Sequence, residues 1–404
     1  MQLSADMLAL AEEYGIHPDT FPRLQIEAGA LTSIAAYLNE KGMSKAVLIM
    51  DAQTRAAAGD RLAAQLEREN IQVHTIELLA NHHGQVNADE AALVQVLVET
   101  PMDTDVLLAV GAGTIHDITR FCSQKLSVPF VAVPTAASVD GFTSKGAPLI
   151  LRGVKQTIQT AAPVAVFADL DVLCAAPRPL TAAGFGDILG KFTSLLDWEI
   201  SARVGGEAYH ALAAKMTRHS LDTCIDHVDE IAKADKAGIR ILMEALIESG
   251  LVMQVLDYSR PASGAEHHLS HYWEMHLLEN DKRQLLHGAK VGVACSIITE
   301  LYKNWVEQFD PSEAKGAYAA ALLANWDEIR LMIAALPTPE TLQYYLEQVG
   351  APASTEEIGI PSELVQDSLN EAYHLRDRCT ALFLINQFKR EQISYPLQDR
   401  IGSR

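Results

Sequence analysis

The 404-residue sequence has few basic side chains and no cysteine pair of the C-x-x-C type. Lys and Arg number 32 against 52 Asp and Glu, which gives a formal net charge of -20. Because binding to nucleic acid phosphates needs clustered basic residues, this balance argues against a nucleic acid partner. A small anionic ligand would have to be held by a local basic pocket against the overall negative field.

The first six residues lack a basic stretch followed by a long apolar run. We therefore expect neither a signal peptide nor membrane insertion. The five cysteines are odd in number, widely spaced and mostly in apolar surroundings, which is typical of reduced thiols in a cytoplasmic protein. The polar residues 398–404 are expected to fray.

The pattern of apolar residues changes near residue 177. At this length, with 49% hydrophobic residues, the chain is expected to form two domains. Before residue 177, apolar runs such as residues 46–50 and 129–134 alternate with helical periodicity, which predicts βαβ units and a parallel sheet. Strand signals stop at Pro177, so we predict an α/β domain over residues 1–176 and an all-helical domain over residues 177–404.

A glycine-containing turn follows the strand predicted at residues 105–110. Gly111 and Gly113 allow close backbone approach, and the helix after them would offer free N–H groups to a pyrophosphate. The motif is G-x-G-T-x-x-D rather than G-x-G-x-x-G, so a purely structural turn is the alternative. Asp51 follows an earlier strand, where it could accept a hydrogen bond from a ribose hydroxyl or simply cap a helix.

Asp187 and Lys191 are four residues apart in the segment G-F-G-D-I-L-G-K, so on a helix they share one face. An exposed ion pair is the simpler interpretation of this spacing. Later in the chain, His267 and His271 also share a helical face, and His287 opens a further predicted helix. Asp187 with one histidine from each of these two helices would give three ligands and open positions, typical of a catalytic metal site, although a solvated helix face is the alternative.

Several segments occur together in a characteristic order. They are residues 111–114, 134–141, Ser144, 184–187, 259–261, 263–267, His271 and 287–288. In this order they resemble the superfamily of iron-containing alcohol dehydrogenases, glycerol dehydrogenases and dehydroquinate synthases. Within it the sequence is most similar to the bacterial glycerol-1-phosphate dehydrogenases, over about residues 45–300. The resemblance implies a Rossmann-like α/β domain, an all-helical domain and an active site in the cleft between them.

The resemblance also implies roles for individual residues. The metal ligands would be Asp187, His267 and His287, with Asp187 and His271 as catalytic residues. The NAD(P)-binding residues would be Asp51 at the adenosine ribose, Gly111, Ala112, Gly113, Thr114 and Ile115 at the pyrophosphate, and Thr135, Ala136, Ala137, Ser138 and Ser144 towards the nicotinamide. Asp140, Asp187 and His271 would contact the substrate. His268 adjoins His267 and could be the ligand in its place, but the i+4 partner His271 favours His267.

The implied reaction interconverts dihydroxyacetone phosphate and sn-glycerol 1-phosphate by hydride transfer with NAD(P)H. Two imidazoles and one carboxylate accept zinc, nickel or iron, and the resemblance favours nickel or zinc. We assign Lys191 to the substrate phosphate because that group needs a nearby cation, although Lys191 could merely pair with Asp187. His271 is the predicted proton shuttle, since imidazole titrates near neutrality.

An NAD-dependent glycerol dehydrogenase would use the same metal and cofactor residues without needing a phosphate-binding cation. A dehydroquinate synthase, or a silent metal or nucleotide sensor on this scaffold, are further alternatives. The family also suggests a homodimer.

Overall fold

The computed structural model describes residues 1–389 and 391–397, so the end expected to fray, 398–404, lies outside the described residues. The strands are β1 Arg23–Glu27, β2 Lys45–Met50, β3 Gln72–Glu77, β4 Val106–Gly111, β5 Phe130–Pro134, β6 Gly146–Leu151, β7 Val154–Gln159 and β8 Ala165–Asp169. The first nine helices are α1 Ala5–Glu13, α2 Ile34–Glu40, α3 Ala52–Thr54, α4 Asp60–Arg68, α5 Glu90–Glu99, α6 Gly113–Leu126, α7 Leu170–Ala175, α8 Arg178–Leu189 and α9 Lys191–Gly205. They are followed by α10 Ala211–Asp226, α11 Val228–Lys233, α12 Lys236–Leu256, α13 Ala265–Glu279, α14 His287–Gln308, α15 Ala319–Ala334, α16 Pro339–Gln348, α17 Ser362–Glu371 and α18 Ala381–Phe388.

Six of the strands form one parallel sheet in the order β1-β8-β5-β4-β2-β3. The central strands β4 and β5 are buried along their whole length, because an uninterrupted apolar sequence suits a strand covered on both faces. One face of the sheet packs against α2 and α4, and the other packs against α5 and α6. The sheet and the helix-rich remainder confirm the predicted fold class.

Every strand in the described residues ends by Asp169, and α8 begins at Arg178, next to the predicted boundary at residue 177. The division into two domains stays a prediction, because α1 contacts the helical half. Asp6 of α1 pairs with Lys215 of α10 at 2.8 Å, and Met7 of α1 belongs to the same apolar core as Val255. The N-terminal helix therefore joins the two halves.

Two further strands lie between residues 154 and 169, and they belong to different sheets. The first is strand β7, which pairs with β6 in an antiparallel hairpin outside the main sheet. The second is strand β8, which enters the main sheet between β1 and β5. Strand β1 itself was not predicted: its five residues carry only one buried side chain, Ile26, because it lies at the edge of the sheet.

Helices α8 and α14 cross with their backbones in contact. A Cβ atom on Gly288 would lie 1.7 Å from the carbonyl oxygen of Ala183, and one on Gly186 would lie 2.3 Å from the carbonyl oxygen of Gly288. Only glycine permits this approach at both positions. The crossing brings Asp187 of α8 close to His287, the first residue of α14.

The five cysteines are free; four are buried and Cys174 is partly exposed. Among the described residues, no helix has both the length and the apolar character that spanning a membrane would require.

Candidate active site

A cavity of about 340 Å³ lies between the carboxyl edge of the sheet and the helices α8, α13 and α14. The predicted site residues that line it are Ala112, Gly113, Thr114, Ser138, Asp140, Ser144, Asp187, His267, His271 and His287. The predicted residues outside its lining are Asp51, Gly111, Ile115, Thr135, Ala136, Ala137 and Lys191.

The glycine turn between β4 and α6 forms one wall of this cavity. A Cβ on Gly111 would lie 2.4 Å from the Ile115 side chain, and one on Gly113 would lie 3.0 Å from Val139, so both positions are tightly packed. Ala112 precedes the first turn of α6 and provides no side-chain cap. The N–H groups of that turn are therefore available to an anion at the positive end of the helix dipole.

The loop after β5 is held in place by contacts with the glycine turn and with α8. Thr135 donates its backbone N–H to the Gly111 carbonyl at 3.0 Å, while Ala136 and Ala137 are buried beneath the cavity surface. A Cβ on Gly184 of α8 would lie 2.0 Å from the Ala137 carbonyl oxygen, so the loop contacts α8 directly. Of the four residues 135–138, only Ser138 lines the cavity.

A fully buried arginine holds the next part of this loop. The Arg120 guanidinium donates to the carbonyls of Gly141, Ser144 at 2.7 Å and Gly146 at 2.9 Å. It also donates to the Ser144 hydroxyl at 2.9 Å. Arg120 therefore shapes the loop that carries Asp140, a contribution that the sequence patterns did not indicate.

Asp51 caps the N-terminus of α3. Its carboxylate accepts the Thr54 backbone N–H at 2.8 Å, and the Thr54 hydroxyl accepts the Asp51 N–H at 3.0 Å. This is the structural alternative named for Asp51 in the sequence. Its role at the adenosine ribose stays a prediction.

Asp187, His267 and His287 meet from three helices, and their ligand atoms lie within 4.8 Å of one another. The Asp187 Oδ1 atom is 3.6 Å from Nε2 of His267 and 3.8 Å from Nε2 of His287. This oxygen is buried and has no hydrogen-bond partner among the described residues, whereas Oδ2 accepts the Asp140 backbone N–H at 2.9 Å. A buried carboxylate oxygen that lies 3.6 Å from the Lys191 ammonium, faces two imidazole nitrogens and accepts no hydrogen bond from the described residues fits a divalent metal ion.

Burial and nearby charges favour the ligand forms of Asp187 and His287, whereas the hydrogen bonds to Asp187 and Glu266 outweigh burial and raise the pKa of His267. Burial alone would raise the pKa of Asp187, but Lys191 and both imidazoles outweigh it and hold that pKa below its usual range. Burial lowers the pKa of His287 to about 3 against the opposing effect of Asp187, so this imidazole is neutral. A carboxylate and a neutral imidazole are the forms that bind metals.

Glu266 distinguishes His267 from its neighbour His268. The Glu266 carboxylate accepts from Nδ1 of His267 at 2.7 Å, which directs Nε2 towards Asp187. Both ring nitrogens of His268 are buried and lack a hydrogen-bond partner within the described residues. His267 is therefore the histidine of this pair that faces Asp187, as the i+4 spacing to His271 predicted.

Lys191 lies beneath the site rather than in the cavity. Its ammonium donates to Asp140 Oδ2 at 2.6 Å and to the Asp187 carbonyl at 2.9 Å, and the side chain is fully buried. Ser249 also donates to Asp140 Oδ2, at 2.8 Å. The predicted contact with a substrate phosphate does not fit this placement, because Asp140 already binds the ammonium and protein covers it. Lys191 instead neutralises two buried carboxylates, Asp140 and Asp187.

His271 lies on the cavity wall one helical turn beyond His267. Its ring centre is 6.1 Å from that of His267 and 6.0 Å from that of His287. Burial lowers the pKa of His271 well below its usual value, and Lys155 and Arg376 lower it further, so the imidazole is neutral.

The cavity also contains charged residues that the sequence analysis missed. Lys155 donates to both oxygens of Glu274 at 2.7 Å, and Lys290 donates to one of them at 2.9 Å. Lys290 follows His287 by three residues on α14, so the sequence spacing could have predicted that both residues lie on the same helical face. Arg376 lies 3.5 Å from Nδ1 of His271 and has no carboxylate within ion-pair distance among the described residues. No spacing in the sequence connects Arg376 to the site.

Comparison with other proteins identifies the family and the fold of the chain. A family model described as iron-containing alcohol dehydrogenase matches residues 25–177. A glycerol dehydrogenase structure from Schizosaccharomyces pombe has a TM-score of 0.64 at 19% identity, covering 86% of this chain and 82% of that one, which supports the fold.

Relatives found by comparing sequences are more similar to this chain than that glycerol dehydrogenase structure is. A glycerol-1-phosphate dehydrogenase (NAD(P)+) of Bacillus licheniformis is 49% identical over 92% of this chain and 90% of its own length. One from Geobacillus stearothermophilus is 46% identical over 96% of this chain and 98% of its own. An archaeal one, from Methanosarcina mazei, is 31% identical over 83% of both chains. At these identities over most of its length, the chain belongs to the glycerol-1-phosphate dehydrogenase family of the iron-containing alcohol dehydrogenases.

Proposed function

We propose that the protein interconverts dihydroxyacetone phosphate and sn-glycerol 1-phosphate by hydride transfer with NAD(P)H at a divalent metal. The observation that carries this proposal is the buried Asp187 Oδ1, which lacks a hydrogen-bond partner and faces Nε2 of both His267 and His287 beside the cavity. When bound there, the metal supplies Lewis acidity to the ketone oxygen, and the nicotinamide supplies the hydride. This ligand set accepts zinc, nickel or iron, and the resemblance to the bacterial enzymes favours nickel or zinc.

The substrate hydroxyl is assigned to Asp140. Lys191 and Ser249 hold its Oδ2 atom, and its backbone N–H is bound to Asp187, so the carboxylate is fixed next to the metal ligands. Asp140 also lines the cavity. A carboxylate fixed in this way is ready to accept a hydrogen bond without reorganising.

The substrate phosphate is assigned to Arg376, with Lys155 and Lys290 nearby. Glu274 neutralises only one of the two lysines, so this side of the cavity carries an excess of positive charge in a chain of net charge -20. The Arg376 guanidinium lines the cavity and makes only long contacts there, 3.4 Å to the Ser259 hydroxyl and 3.5 Å to Nδ1 of His271. A planar guanidinium without a carboxylate partner is suited to a phosphate.

The coenzyme is assigned to the α6 side of the cavity. Ala112, Gly113 and Thr114 would bind the pyrophosphate, with Gly111 and Ile115 fixing the turn behind them. Ser138 and Ser144 would approach the nicotinamide, supported by the buried residues Thr135, Ala136 and Ala137, and Asp51 would approach the adenosine ribose.

His271 is assigned to proton transfer. Its imidazole is neutral, lines the cavity and lies one helical turn from the ligand His267. A neutral imidazole can take up the alcohol proton transiently during oxidation and pass it on, although burial, Lys155 and Arg376 make this nitrogen a weaker base than a free imidazole. We also propose a cytoplasmic homodimer, which gel filtration with light scattering and cell fractionation would test.

The decisive experiment follows NADH oxidation with dihydroxyacetone phosphate and, in parallel, with unphosphorylated dihydroxyacetone. We expect turnover of the phosphate ester, loss of turnover after chelation, recovery on adding metal, and the sn-glycerol 1-phosphate stereoisomer as product. Equal turnover of the two ketones would identify a polyol dehydrogenase instead. Full turnover after complete removal of metal would contradict the metal role.

A further inference from the structure

A second group of metal-binding side chains lies away from the site described above. It consists of His82 and His83, in the loop between β3 and α5, and Asp281, in the loop between α13 and α14. Nε2 of His82 is 3.1 Å from Asp281 Oδ1, and Nε2 of His83 is 3.2 Å from the same oxygen. The three ligand atoms lie within 4.8 Å of one another.

The two loops that carry these residues are already joined by hydrogen bonds. Gln85 donates its side-chain amide to the Gln284 carbonyl at 2.9 Å, and its side-chain oxygen accepts the Gln284 N–H at 2.8 Å. The Asn81 side chain accepts the N–H groups of His83 and Gln85 at 2.9 and 3.1 Å, which fixes the histidine loop. The backbones of the two loops are therefore held together, which keeps the three side chains within reach of one another.

The ligand types and spacing suit a transition metal. Zinc binds histidine nitrogen and carboxylate oxygen at about 2.0–2.2 Å, so neighbouring donor atoms of a tetrahedral site are about 3.4 Å apart. The nitrogen to oxygen distances in this cluster, 3.1 and 3.2 Å, are close to that separation. His82 and Asp281 are exposed, which leaves the fourth position to water.

We propose that His82, His83 and Asp281 bind a second divalent ion of the zinc class, which joins the two loops across the mouth of the cavity. Residues on both loops line that cavity, Gln85 to Ala88 on one side and Gln284 to Leu286 on the other. An ion that crosslinks the loops opposes their separation and slows the exchange of coenzyme and substrate. Binding of the ion does not depend on the proposed reaction, whereas this inhibitory effect rests on it.

Equilibrium dialysis of zinc-loaded enzyme, followed by elemental analysis, tests the binding. Loading the Asp187 site with zinc beforehand prevents metal exchange there from being counted. We expect wild type to take up a second zinc equivalent. The variants His82→Ala and Asp281→Asn should bind this second equivalent at least about tenfold more weakly. The matched control is His276→Ala, which removes an exposed histidine of α13 outside the cluster. Absence of a second equivalent in wild type, or equal uptake by the cluster variants, overturns the proposal.

Turnover measured across the same zinc titration tests the effect on the cavity. We expect the second equivalent to lower turnover of wild type and His276→Ala, and to leave Asp281→Asn unaffected over that range. Second-site binding without any change in turnover would overturn the inhibitory crosslink. If neither wild type nor any variant turns over the phosphorylated ketone when only the Asp187 site holds zinc, the proposed reaction fails. The dialysis result still decides whether the second metal site exists.

Discussion

The Glu266 carboxylate accepts a hydrogen bond from Nδ1 of His267 at 2.7 Å. Glu266 is itself fixed by the Gly264 N–H at 2.6 Å and the Thr193 hydroxyl at 2.6 Å. Burial would raise the pKa of Glu266, but His267 and these donors outweigh burial and lower it, so the residue stays ionised. An ionised carboxylate behind an imidazole fixes the tautomer and raises the basicity of the opposite nitrogen.

Glu266→Gln is therefore expected to weaken metal binding about 10- to 100-fold, because the acceptor loses its charge while the side chain keeps its size. Competition with a chromogenic chelator measures the affinity without any assay of turnover. Glu248→Gln, at a carboxylate bound to Ser220 and outside the cavity lining, is the matched control. Equal metal affinity in wild type and Glu266→Gln would show that the hydrogen bond has no such effect.

Asp187→Asn is expected to abolish most metal occupancy and, with it, most turnover. An amide cannot replace the anionic oxygen that faces the two imidazoles, and it also leaves Lys191 with one fewer carboxylate. The measurement pairs metal content by elemental analysis with the initial rate on dihydroxyacetone phosphate. A variant with full metal content and full turnover would falsify the assigned role.

Arg376→Met should raise the KM for dihydroxyacetone phosphate by roughly 10- to 100-fold, since a charge-assisted contact contributes about 1.5–3 kcal/mol. It should change the kinetics with unphosphorylated dihydroxyacetone little. Lys191→Met should instead impair both ketones, because Lys191 holds Asp140 and does not line the cavity. A phosphate-selective loss in Lys191→Met, with none in Arg376→Met, would restore the original assignment of the phosphate to Lys191.

The close crossing of α8 and α14 gives a prediction about stability. In Gly288→Ala, the new methyl group would meet the Ala183 carbonyl oxygen at 1.7 Å, so the helices must separate. We expect a loss of about 1–3 kcal/mol in the free energy of unfolding, together with weaker metal binding, because His287 moves relative to Asp187. Urea unfolding of the variant, compared with Gly141→Ala, where a Cβ meets nothing within 4 Å, measures the cost. Equal stability of the two variants would contradict this account.

The sequence predicted the fold well where local pattern and burial coincide. Strands β4 and β5 have uninterrupted apolar sequences and are buried throughout, so each could be predicted to be a strand without knowing its neighbours in the sheet. Strand β1 carries one buried residue and becomes a strand by pairing with β8, which lies about 140 residues later in the chain. Long-range pairing of this kind leaves little trace in a local pattern.

Local spacing in the sequence likewise predicted some residues of the candidate site and missed others. The spacing of His267 and His271 and the position of His287 indicated which side chains meet, and these residues do lie together with Asp187. The spacing of Asp187 and Lys191 correctly predicted that the two side chains meet, although they lie on separate helices, α8 and α9. It could not show that Asp140 also binds the ammonium. Arg376 reaches His271 from 105 residues away, so only the tertiary fold reveals it.

Asp117 is expected to make coenzyme binding depend on pH. Burial raises the pKa of this carboxyl to about 7, despite the opposing effects of Arg120 and Lys155. Asp117 lines the cavity one helical turn after Gly113. Below pH 7 the carboxyl is neutral, and above pH 7 it carries a negative charge close to the site assigned to the pyrophosphate.

Coenzyme affinity should therefore fall by roughly three- to tenfold between pH 6 and pH 8, because two like charges one or two helical turns apart repel. Asp117→Asn should bind the coenzyme with little pH dependence over this range, which fluorescence titration of NADH can measure. The raised pKa of Asp117 also affects stability: it lies above the usual value of 3.8, so the folded state holds an extra proton relative to the unfolded chain between about pH 4 and 7. The free energy of unfolding contributed by Asp117 must then decrease as pH rises through that window, and Asp117→Asn should remove the decrease. Identical pH profiles for wild type and variant, in both measurements, would show that Asp117 titrates at its ordinary value.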